Sequence, residues 1–126
     1  MITAEQAREK FILAWSEREL QDHIIGVARA LGYLAYHTHD SRRSEPGYPD
    51  LHLVHPVRGV SLFRELKSTK GRISPDQKKW GAALTAAGFD FAYWRPADVV
   101  SGAVLHQLQK VGTADCCQAC RERALR

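Results

Sequence analysis

The sequence predicts an α/β fold, a mixed β-sheet flanked by helices, and three observations lead to that class. Thr3, Ser16 and Ser74 each stand three residues ahead of a Gln or Glu and just before a run with helical spacing. Short β-rich segments lie between these starts, at Tyr33 to His37, Asp50 to His55, Val60 to Lys67 and Phe89 to Trp94. The last of these strands follows a helix, so it can pair parallel with an earlier strand and mix the sheet.

Thr3 with Gln6 opens a short helix that carries Phe11, Ile12 and Trp15, with Trp15 outside the core pattern. Ser16 with Glu19 opens an amphipathic helix in which Leu20, Ile24, Val27, Ala28 and Leu31 share a face, and Gly32 stands at a left-handed C-cap. Tyr33 to His37 reads as a strand, and the polar, Pro- and Gly-marked stretch Thr38 to Pro49 as a loop. Asp50 to His55 alternates, PVRG supplies a turn, and Val60 to Lys67 follows, which makes a hairpin. Ser74, Pro75 at the first helical position and Gln77 at the third start a helix through Trp80 and Leu84 to Gly88. Arg95-Pro96 breaks the strand after Trp94, and Ala97 to about Val111 reads as one closing helix. From the amphipathic helix onward the order is α, β, β, β, α, β, α, without internal repeats.

At 126 residues with 44% hydrophobic side chains, the chain can bury a core without metal or disulfide staples, so one domain over residues 1–126 is expected. Its core would run over roughly residues 16 to 105, with a cysteine-containing tail over about 112 to 126. Apolar runs stop far short of the roughly 18 to 20 residues a membrane span needs. The polar start MITAEQAREK lacks a signal-peptide pattern, and the expectation is a soluble, cytoplasmic protein. A net charge of +4 suits a polyanionic partner but decides little alone. Cys116, Cys117 and Cys120 do not read as a secreted disulfide framework, and the spacing of Cys117 and Cys120 matches half of a zinc site whose other half the sequence lacks.

The chemistry concentrates on the hairpin. Strand parity puts Glu65 and Lys67 on one face with Phe63, and Leu62 and Leu66 on the other. A solvated sheet face would account for the charged pair without any function. Asp50, however, begins the neighbouring strand, and the hairpin brings it beside Glu65. Two carboxylates held together repel unless a cation or proton lies between them. Oxygen-only ligands favour Mg²⁺ or Mn²⁺, which suits phosphodiester hydrolysis, with Lys67 near the attacking water. Glu17, in the first turn of its helix, is free to join the metal through a water, or it serves only as a favourable acid at a helix N-terminus.

Taken in order, GYPDL, FRELK and GRISPDQKKW, with SERELQ and YHTHDSRRS before the motif and AYWRPAD after it, resemble the VRR-NUC domain, a branch of the PD-(D/E)XK nucleases. The resemblance covers roughly residues 16 to 105 and implies a restriction-endonuclease-like core, Mg²⁺ dependence and DNA as substrate. It makes Asp50, Glu65, the Leu66 carbonyl and Glu17 the metal ligands, Lys67 the catalytic lysine, and Gln77 the helix glutamine near the site. Small lone members resemble Holliday-junction resolvases, which implies a homodimer acting on branched DNA.

The remaining candidates are DNA contacts. His37, His39, Ser41, Arg42 and Arg43 lie in or beside the polar loop before Asp50, and Lys70 and Arg72 flank Gly71 ahead of a helix start. Each charge taken singly reads first as a solvated loop residue, and the case for contacts rests on the group near the site. His52 shares the parity of Asp50, yet a lone His on a half-buried strand is usually structural, and Trp80, Trp94 and Tyr93 read as packing. The leading expectation is a structure-selective DNA endonuclease. A flap or nicking nuclease with little structural preference, and a non-catalytic DNA-binding module, are the alternatives.

Overall fold

The computed structural model describes residues 1–39 and 44–110. Ser41, Arg42, Arg43 and the cysteine tail lie outside the described residues. Three capping boxes set the long helices. Thr3 with Gln6 starts α1 (Ala4–Leu13), Ser16 with Glu19 starts α2 (Glu17–Ala30), and Ser74 with Gln77 starts α3 (Pro75–Ala86). In each, the hydroxyl accepts the third helical N–H while the Gln or Glu side chain takes the cap residue's own N–H, satisfying two otherwise orphaned donors. Trp15 lies beyond the end of α1 and packs on the core next to His23, so the structure corrects its reading as an outlying residue of that helix.

Four strands form one sheet in the order β1 (Leu34–His37), β2 (Leu51–His55), β3 (Val60–Leu66), β4 (Asp90–Trp94). The first two pairings are antiparallel, and β3 with β4 is parallel, as the helical crossover α3 requires. Gly59, at φ 68°, closes the β2–β3 turn by donating its N–H to the His55 carbonyl at 2.9 Å. His55 itself is buried: its Nε2 donates to the Leu31 carbonyl at 2.9 Å, while Nδ1 accepts the Arg58 N–H at 3.0 Å. That ring fixes the hairpin to the end of α2, where Gly32 (φ 94°) has no room for a side chain, since a β-carbon there would stand 2.9 Å from His55 Nε2.

The main core lies between one sheet face and α2, where Leu51, Leu53, Leu62, Leu66 and Trp94 meet Leu20, Ile24 and Ala28. Each fully buried Leu or Ile contributes about 1.5–3 kcal/mol, so truncating Leu62 to alanine would be the simplest way to break this layer. The other face carries α3, whose Gly81 approaches Phe91 so closely that a β-carbon there would lie 2.4 Å from the ring. Strand β3 is therefore covered on both sides.

One expectation needs correction. The closing segment is two short helices, α4 (Pro96–Val100) and α5 (Ala103–Leu108), divided at Gly102 with φ 85°. Pro96 begins α4 at the first helical position, where its missing N–H costs nothing, so it starts a helix as well as ending the strand.

Candidate active site

The register Leu51↔Arg64 sets Asp50 across from Glu65 at the end of the hairpin. Asp50 stands one residue ahead of β2, its carbonyl accepting the Thr38 N–H at 3.0 Å and its Oδ2 accepting the Leu66 N–H at 2.8 Å. The loop before it is packed onto α3: Tyr48 meets Trp80 edge to face, Pro49 is fully buried, and Gly47 (φ 84°) lies against the helix start. A β-carbon at Gly47 would be 2.3 Å from the Asp76 carbonyl group. Only glycine fits there.

Glu65 is 2% exposed, which removes the solvated-face reading of the charged pair. Its Oε1 accepts from Gln77 Nε2 at 2.9 Å, and its Oε2 is buried without a partner. Gln77 thereby serves twice, because its own Oε1 takes the Ser74 N–H at 2.9 Å as part of the capping box. A glutamate would cap the helix equally well but could not donate to Glu65. Burial pushes the Glu65 carboxyl up to about 9, assisted by hydrogen bonding to Asp50 and by the charges of Asp50 and Glu17, with Lys67 pulling the other way. As two anions, the pair leaves Oε2 with no donor. A proton or a cation supplies what it lacks.

Lys67 follows β3, its N–H bonded to the Trp94 carbonyl at 3.1 Å and its side chain only 13% exposed. Its Nζ stands 3.9 Å from Glu17 Oε1. Glu17, Asp50 and Leu66 line one cleft of ≈ 510 Å³ together with Arg18, Asp22, His37 and His39. The fold thus brings these residues to one place, with Glu17 paired to Lys67 and close enough to Glu65 for its charge to act there. Among the described residues, no group of three or more His, Cys, Asp or Glu converges as a ready cation cage.

The His37 and His39 rings lie 4.2 Å apart in the cleft wall, and His37 Nδ1 is buried without a partner. Lys70 and Arg72 are exposed on the segment leading into α3. His52 stacks on Phe63 at 4.1 Å and bonds Ser61 at 2.8 Å, a structural role. Two features escaped the sequence reading. Arg64 is buried and pairs with Asp90 at 3.0 Å, beneath Trp94 and next to Gln107, and Arg95 grips the turn after Lys67. Burial alone would raise Asp90, but Lys110 and Arg64 outweigh it and hold its carboxyl below the usual range.

Compared with known proteins, the chain matches the family model of the VRR-NUC domain over residues 2–97. A solved structure titled "VRR_NUC domain" is similar with a TM-score of 0.60 and 22% identity, covering 73% of this chain and 98% of that one. At that identity the likeness speaks for the fold. No curated protein matches.

Proposed function

The chain belongs to the VRR-NUC family, a nuclease-type DNA-processing domain, and from that premise we propose that it is a Mg²⁺-dependent, structure-selective DNA endonuclease. The observation that carries this reading is the buried Glu65 set against Asp50, with its Oε2 unpartnered. The donor set fits a hard divalent cation: two carboxylates, with the Leu66 carbonyl beside them and Glu17 at the cleft. Bound there, Mg²⁺ or Mn²⁺ would supply charge neutralisation and Lewis acidity toward a phosphodiester.

The chain's own residues do the rest. Gln77 holds Glu65 Oε1, which keeps the carboxylate plane fixed and leaves Oε2 free. The Leu66 N–H holds Asp50 Oδ2. Lys67, largely buried and within reach of Glu17, sets its Nζ beside the carboxylates, where it would orient the attacking water and offset charge on the phosphorane. His37 and His39 in the cleft wall, and Lys70 and Arg72 exposed on the segment leading into α3, would contact the DNA backbone. One carboxylate pair makes one cut, so paired cuts across a four-way junction call for a homodimer.

The test is a panel of labelled junction, flap, nicked and linear duplex DNA with Mg²⁺, run with wild type, Asp50→Asn and Lys67→Ala. Junction cutting that both variants lose, by about a hundredfold or more, supports the reading. Flap or nick cutting without junction preference replaces the structure-selective part. Binding without cation-dependent cleavage, unchanged in Asp50→Asn, makes the protein a binding module.

A further inference from the structure

A single guanidinium nitrogen gathers the carbonyls of the turn that follows Lys67. Arg95 Nη1 donates to the Ser68 carbonyl at 2.7 Å and to the Gly71 carbonyl at 2.8 Å, with the Thr69 carbonyl at 3.4 Å. Three carbonyl dipoles converging on one point repel each other, and a cation at that point is what lets them share it. The same turn is closed by the Gly71 N–H on the Ser68 carbonyl at 3.1 Å, and Thr69 Oγ1 fastens it to the Leu13 carbonyl at the end of α1 at 2.6 Å.

Arg95 is itself fixed. Its N–H donates to Asp98 Oδ2 at 2.8 Å at the start of α4, and the preceding residue, Trp94, accepts the Lys67 N–H at 3.1 Å. Residues 94 and 95 thus hold residues 67 to 71 by main chain at one end and side chain at the other. On its inner side the turn runs along the lysine stem: a β-carbon at Gly71 would lie 3.3 Å from Lys67 Cδ. Moving Gly71 therefore removes one wall of the slot in which the Lys67 side chain lies.

We propose that Arg95 is a positioning residue for Lys67, acting through the Ser68–Gly71 turn that its guanidinium gathers against the lysine stem. The proposal rests on the nuclease reading only in that Lys67 takes part in cleavage.

Two variants separate the donors from the bulk of the side chain. Arg95→Met keeps an apolar stem and removes every donor, whereas Arg95→Lys supplies an ammonium with three donors. Steady-state cleavage of the best DNA substrate should show kcat down about ten- to a hundredfold in Arg95→Met, with KM within about twofold, and a substantial recovery in Arg95→Lys. Trypsin gives a readout independent of cleavage: released from Arg95, the turn should be cut after Lys70 and Arg72 in Arg95→Met at a temperature where wild type and Arg95→Lys resist. Should Arg95→Met fail to fold, Arg95→Gln, which keeps one donor group, carries both measurements.

Unchanged kcat overturns the proposal, whether or not trypsin finds the turn, because the turn then moves without Lys67. Unchanged resistance to trypsin overturns it as well. If the wild type cuts no DNA at all, the nuclease reading fails by itself, and the tryptic comparison still decides whether Arg95 holds the turn.

Discussion

Replacing Glu65 with glutamine turns a buried carboxyl into a neutral amide of the same shape, and the structure sets the size of the effect. The carboxyl is 2% exposed and is raised from 4.5 to about 9, first by burial and then by Asp50. Between those values the folded protein keeps a proton that the unfolded chain has released. Stability is therefore fully present below about pH 4.5 and is lost as pH rises toward the folded value. At roughly 1.4 kcal/mol per pH unit, the metal-free wild type has lost about 3 kcal/mol by about pH 7. The glutamine stands in for the protonated acid, its Oε1 accepting from Gln77 and its amide donating toward Asp50. Glu65→Gln and wild type should match within about 1 kcal/mol near pH 4.5, and the variant should lead by about 3 kcal/mol near pH 7. Urea unfolding in chelator, followed by tryptophan fluorescence, measures that gap, and the other titrating groups, Asp90 among them, cancel in the difference. A gap that stays flat across this range refutes the burial argument. Mg²⁺ adds a second arm: a cation in place of the proton should raise the wild-type Tm near neutral pH and leave Glu65→Gln unmoved.

Three further outcomes follow from the same geometry. Gln77→Glu keeps the helix cap but exchanges the donor to Glu65 Oε1 for an acceptor and adds a charge near Asp50, so the metal-free protein should lose about 2 kcal/mol near neutral pH; an unchanged Tm would contradict the shared role of that side chain. Gly47→Ala meets both a left-handed backbone and the Asp76 carbonyl group 2.3 Å away, and should cost about 2–4 kcal/mol in urea unfolding. A loss near zero would mean that the loop before Asp50 is not packed on α3. Asp90→Ala strips the buried Arg64 of its ion-pair partner and should destabilise the protein by about 3 kcal/mol, with little relief from added salt, since Arg64 lies 1% exposed.

What the sequence made legible was local. A capping box is decided within four residues, so the starts of α1, α2 and α3 can be read directly, and the hairpin follows from two β-rich runs around a glycine turn. The closing helix was misread because Arg95-Pro96 signals a strand end and a helix start with the same residues, and only the left-handed Gly102 reveals the second break. Arg64 and Asp90 were opaque for another reason. They lie 26 positions apart and meet only through the parallel register of β3 and β4, which no local pattern states.

The E-x-K pair on β3 was ambiguous by itself, and the structure shows which neighbouring signal resolves it. Glutamine at the third position of a capping box is not informative alone, since Gln6 plays that part in α1 at an exposed site. Glutamate would cap as well and would add a favourable charge at the helix N-terminus. A helix that forgoes that charge at its third position, and that is the next element after a strand carrying Glu65, has a reason to offer a neutral donor there. At Gln77 the reason is Glu65, 2.9 Å away. The conjunction of a Gln-type cap with a carboxylate on the strand before it therefore argues for a buried acid, where the alternation of β3 alone favoured a wet face. The same logic places the specificity of the site in what surrounds the carboxylates: the acids could sit on many sheets, but the paired duty of Gln77 and the glycine at 47 tie both to a single helix start.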